Sequence, residues 1–151
     1  MNLNYKNTAY DAGYLESVMS VHECMFSRLL IEKPKYDLFS MIDNYMMQSE
    51  VRYKMDKGNW SALNKGYKQL INSIDFSSCK PNTGNNALFD DIILGWMADM
   101  YVLLQWRYNI MSSEIIKKIP SKTMYDIYNP LHETSYENAC EKLYHKFLTN
   151  S

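Results

Sequence analysis

Residues 88–106 place the tightest constraint on what this chain can fold into. They carry charge only at Asp90, Asp91 and Asp99. Within them, residues 92–104 are apolar around nearly the whole circumference of a helix. A helix of that kind has to be buried by other helices or by lipid. The uninterrupted apolar run is shorter than the roughly 18–20 residues that cross a bilayer, and Asp99 interrupts it. The stretch therefore predicts a central buried helix over residues 87–108 and no membrane partner.

The remainder of the chain predicts the helices that surround this post. Gly and Pro number only 5 and 4, so few positions interrupt helical spacing. Residues 10–31 place Leu15, Val18, His22, Met25, Phe26 and Leu29 at three- and four-residue intervals, with Pro34 as the stop. Residues 36–57 give a second helix, ended by Gly58, and a third, capped by Asn59 or Ser61, extends to residue 74. Residues 75–86 form the clearest loop and a natural place for the chain to divide. After the central helix, Ser112 caps residues 113–119, Pro120 and Pro130 bracket another helix, and Thr134 with Glu137 matches a capping box for the last. The expectation is one all-α domain over residues 1–151, a compact bundle of six or seven helices with a potential subdivision at 75–86.

Composition narrows the function classes. The net charge is −1, from 16 basic and 17 acidic residues. No global field draws nucleic acid or an anionic membrane, so direct nucleic-acid binding is not expected. Cys24, Cys79 and Cys140 are few, odd in number and widely spaced, which reads as free thiols in a reducing, cytoplasmic compartment. The first residues, Met-Asn-Leu-Asn-Tyr-Lys, hold no apolar signal-peptide core.

The chemistry-bearing motifs are incomplete. His132-Glu133 opens like a zinc-protease helix, but Tyr136 stands where the second histidine belongs. His22 with Cys24, and Cys140 with His145, are badly spaced for one helix face, and neither a metal nor a cofactor is expected. No nucleophile elbow or phosphate-cradling loop is present. Arg28, Arg52 and Arg107 lack the following histidine that a helical nuclease of the Arg-then-His type uses. Asp99 is the most suggestive titratable group, because a buried carboxylate must find a partner or a proton. It reads either as a general base or ligand clamp, or as half of a buried network with Arg107, Arg52, His132 or a tyrosine hydroxyl.

The aromatics are tyrosine-heavy, with 13 Tyr, 5 Phe and 3 Trp, and 11 methionines accompany them. They either fill an irregular core or form a docking face, where Tyr, Trp and Met are enriched. The docking reading names Tyr101, Trp106, Tyr108, Tyr128, His132 and Glu133.

The series Gly95-Trp96-Met97, Tyr101, Leu104-Gln105-Trp106-Arg107-Tyr108, Ser112-Ser113-Glu114-Ile115, Met124-Tyr125, Tyr128 and Pro130-Leu131-His132-Glu133 resembles a group of small uncharacterised helical proteins of Firmicutes and their mobile elements. Asn44-Tyr45-Met46-Met47-Gln48-Ser49, Asp56 and Asn59 fit its N-terminal part, so the resemblance covers about two-thirds of the chain. Some members resemble antitoxin-like partners of ADP-ribosyltransferase-type toxins. The resemblance implies a non-enzymatic protein-binding role, an inhibitor that occludes a toxin, and transfers no catalytic residue. A phage-encoded inhibitor of a host defence nuclease is the alternative with the same physics. A small enzyme using Asp99 and His132 is the alternative from a different class, and it requires the two to share a cavity.

Overall fold

The structure, a computed structural model, describes residues 5–149. Nine α-helices are present among the described residues: α1 (Leu15–Glu32), α2 (Leu38–Gln48), α3 (Glu50–Asp56), α4 (Trp60–Leu63), α5 (Tyr67–Asn72), α6 (Asp91–Tyr108), α7 (Ser112–Lys118), α8 (Ser121–Leu131) and α9 (Tyr136–Leu143). The fold is all-α, with no strand among the described residues beyond one isolated bridge between Tyr36 and Pro81.

The central post is α6. Asp90 starts it by accepting a hydrogen bond from the Ile93 amide at 2.8 Å, and Asn109 ends it in the left-handed conformation at φ 52°. Every residue from position 96 to position 106 is buried. The neighbours that bury it are α1, α7, α8 and α9. The core is one continuous cluster that takes residues from Tyr10 to Leu143, on both sides of the loop at 75–86.

Several expected boundaries shift. The single helix expected over 36–57 is two, because Ser49 turns extended at φ −64° and ψ 122° and caps α3 through the Arg52 amide at 3.1 Å. The helix expected up to residue 74 is also two, interrupted at Asn64–Gly66, where the Gln69 side chain accepts from the Gly66 amide at 2.7 Å. Pro130 does not stop α8 at once but lies in its last turn, where it donates no hydrogen bond back to residue 126, and the helix ends one residue later. The cap of α9 is Ser135, accepting from Asn138, whereas the Thr134 hydroxyl donates back to the Leu131 carbonyl. Beyond α9 the chain widens into a π-helical turn, Tyr144–Leu148, in place of a continued α-helix.

Two long-range seams hold the bundle. The loop is stitched to the start of α2: the Asn86 carbonyl oxygen accepts from the Leu38 amide at 2.8 Å, and its amide donates to the Tyr36 carbonyl at 2.9 Å. At the other seam, the Ala9 amide donates to the Trp106 carbonyl at 2.9 Å, and the Trp106 indole donates to the Tyr10 carbonyl at 2.8 Å.

Candidate functional site

The junction of α1, α6 and α9 holds the most perturbed carboxyl group of the surface-proximal residues. Helical spacing puts Trp96 and Asp99 one turn apart on α6. Asp99 is only 5 % exposed. Its Oδ2 accepts a hydrogen bond from the Tyr136 hydroxyl at 2.9 Å, and its buried Oδ1 has no conventional donor. Glu23 reaches it from α1, over Gly95, where a side-chain Cβ would lie 4.0 Å from the Glu23 Cγ. Burial first, and then the Glu23 carboxyl, push Asp99 up to about 8, against a smaller downward pull from the Tyr136 hydroxyl. Burial and Asp99 together raise Tyr136.

The aromatic wall beside this carboxyl comes from α8. Tyr128 meets Trp96 edge-on at 5.5 Å and stacks on His132 at 4.3 Å. His132 Nδ1 lies 2.9 Å from the Tyr128 carbonyl. A carbonyl only accepts, so Nδ1 carries the proton and Nε2 is left for other contacts. Tyr128 thus joins His132 to Trp96, and His132 makes no direct bond to Asp99.

The other residues singled out from the sequence are scattered. Tyr101 and Trp106, expected on a docking face, are 2 % and 1 % exposed. The Tyr101 hydroxyl donates to the Ile119 carbonyl at 2.7 Å. Both belong to the core and correct that expectation, because α6 is surrounded on every side and leaves no outward face along this stretch. Tyr108, half-buried, stacks on Tyr144 with ring centres 3.7 Å apart. Glu133 is exposed. The expected network of Asp99 with Arg107 does not form. Eight residues separate them, roughly 12 Å along a helix. Arg107 instead lies over the rings of Tyr5 at 4.2 Å and Tyr108 at 5.0 Å and donates to the Glu137 carbonyl.

A second polar centre lies deep between α1, α2, α3 and α7. Arg52 and Asp56 are 1 % and 3 % exposed and face each other at 3.7 Å. Asp56 also caps α7, accepting from the Ser112 amide and hydroxyl, both at 2.7 Å. His22 donates from Nδ1 to the Val18 carbonyl and accepts at Nε2 from the Tyr45 hydroxyl, each at 2.7 Å. Burial, and then the Arg52 charge, pull His22 down to about 3, so it is neutral. The Arg52 and Asp56 spacing of four was the available signal for this pair. The same spacing of four also describes the exposed pairs Arg28–Glu32 and Lys122–Asp126, so it does not mark a buried one.

The surface offers open grooves and isolated apolar side chains. A groove of about 850 Å³ runs between α2, the loop and the α7–α8 corner, rimmed by Lys80, Lys117 and Lys122. A smaller one of about 380 Å³ lies over Asp56 and is lined by Met47, Tyr53 and Met111. Neither groove is lined by Asp99 or His132. Trp60, Tyr53 and Met47 are 70 %, 54 % and 38 % exposed. Of the methionines Met41, Met46 and Met47, only Met47 is exposed. Among the described residues no three His, Cys, Asp or Glu side chains gather as metal ligands, and no helix is long and apolar enough to cross a membrane. Comparison with known families, curated proteins and solved structures gives no match.

Proposed function

We propose that this protein is a non-enzymatic binding module that works by covering the surface of a partner protein. The observation that supports it is the exposure of Met47, Tyr53 and Trp60, on α2, α3 and α4 respectively. Trp and Tyr are the side chains that most often anchor protein interfaces, and Met adapts to irregular partners. Met47 and Tyr53 line one groove, which gives a partner side chain somewhere to insert. The proposed docking residues thus lie on α2, α3 and α4 in place of the expected set of Tyr101, Trp106, Tyr108, Tyr128, His132 and Glu133, of which Tyr101 and Trp106 are buried.

The antitoxin-like resemblance supplies the finer form of the proposal: the partner is an ADP-ribosyltransferase-type toxin, and inhibition is occlusion of its active site. Three unpaired thiols fit a reducing, cytoplasmic setting for it. The test is capture of partners from the native host with the wild-type protein and with a Trp60→Ala, Tyr53→Ala double variant, followed by assay of the captured partner's activity with and without added protein. Loss of the partner and of inhibition in the double variant supports the face. Equal capture and inhibition by both proteins rejects it.

A further inference from the structure

We propose that one proton held between Asp99 and Glu23 fastens α9 onto the α1–α6 pair, and that its loss loosens the C-terminal helix. The Asp99 Oδ2 already accepts from Tyr136. Its Oδ1 is buried and lacks a donor partner, and the group that interacts with it across the α1–α6 contact is another carboxyl, Glu23. A buried Asp99 facing a half-buried Glu23 makes double ionisation costly, so one proton bridges them. With the proton on Asp99 Oδ1, that oxygen donates to the Glu23 carboxylate while Oδ2 keeps the Tyr136 hydroxyl. Both Asp99 carboxyl oxygens are then used.

The groups that face Asp99 are Glu23 from α1 and Tyr136 from α9, with Tyr128 of α8 and its C-cap His132 one layer further out. When the bridging proton leaves to solvent, two negative charges remain and a single phenol cannot hold both. Water must reach them, and the cover is Tyr136, the first residue of α9 and only half-buried. The long helices α1 and α6 are packed along their length, whereas α9 is eight residues. The short element is the one that yields. The carboxyl value of about 8 places this release in a mildly alkaline range.

The protein carries its own reporter. Cys140 lies on the inner face of α9 and is 1 % exposed, while Cys24 on α1 is open to solvent. Labelling of each thiol by a maleimide, read by peptide mass spectrometry on the full chain, follows the opening of α9 with Cys24 as internal control. Two variants remove the carboxyl pair without removing hydrogen-bonding capacity: Asp99→Asn, which can donate to Glu23 and accept from Tyr136, and Glu23→Gln, which can donate to Asp99. Between about pH 6 and about pH 9, the Cys140 labelling rate of the wild type relative to either variant is expected to grow at least about tenfold. A ratio that stays constant for a variant that folds overturns the proposal. Carboxyl carbon NMR on the unaltered protein decides it independently: an aspartate titrating near pH 8 is expected, and titration of every aspartate below about pH 5 overturns it.

Discussion

Arg52 and Asp56 bring a full ion pair into the core, and its cationic member has few other contacts. The Arg52 Nη1 has only the Asp56 carboxylate at 3.7 Å and the Met55 sulfur at 3.5 Å, and its Nη2 has no acceptor. Desolvation of such a pair rivals its attraction, so removing one member is far worse than removing both. Arg52→Met is expected to destabilise by about 3–5 kcal/mol in urea denaturation, and the Arg52→Met, Asp56→Leu double variant to recover most of that loss. A double variant as weak as the single one would show that Asp56 matters chiefly through its cap on Ser112. Titration gives a second expectation at this scale. His22 falls from 6.5 to about 3 on folding, so the unfolded chain binds the extra proton and stability is lost as pH drops below 6.5. Asp99 rises from 3.8 to about 8, so the folded chain binds the proton and stability is lost as pH climbs from 3.8 to 8. The two slopes oppose below pH 6.5 and only the Asp99 slope survives above it. The gap between Asp99→Asn and wild type is therefore expected to widen in favour of the variant by at most about 1.4 kcal/mol per pH unit up to pH 8, read by thermal melts across pH.

Helix periodicity was legible in this chain and helix ends were not. Leu38, Ile42, Tyr45 and Met55 are all buried although a break separates the last from the others. The apolar stripe therefore continues across Ser49 and hides the turn. The break is made by a hydroxyl that caps α3 and also meets the Ser73 hydroxyl at 2.7 Å, a tertiary contact that no local pattern carries. Ser49→Ala is expected to cost about 1 kcal/mol, the usual worth of such a cap. Asn109 gives the opposite case: it holds a left-handed φ of 52° after α6. Asn109→Gly is expected to leave stability unchanged or raise it by up to about 1 kcal/mol, and Asn109→Val to lower it, because a β-branched side chain resists that conformation. The site was legible in part for the same reason. Asp99 stood out because it interrupts an apolar run, but its partners Glu23 and Tyr136 arrive from helices 76 and 37 residues away in sequence, where spacing says nothing.

The molecule as a whole is joined where the sequence looked most separable. Residues 75–86 have the composition of a linker, yet Asn86 and Asn85 bind the backbone and cap of α2. Composition marks where a chain turns, not what the turn then touches. Asn86→Ala strips the Leu38 amide and Tyr36 carbonyl of their partners and is expected to cost about 1–3 kcal/mol. The same variant is expected to speed cleavage within 75–86 under limited proteolysis, and unchanged cleavage would mean that the loop is held by other means.

The seam between Ala9, Tyr10 and Trp106 also sets an order of events. On a ribosome, the early turn around residue 10 has no acceptor until the far end of α6 has been synthesised and has left the exit tunnel. The bundle is thus closed by a clasp between distant stretches of chain, and a nascent chain halted just short of Trp106 would lack both the acceptor for the Ala9 amide and the indole donor for the Tyr10 carbonyl.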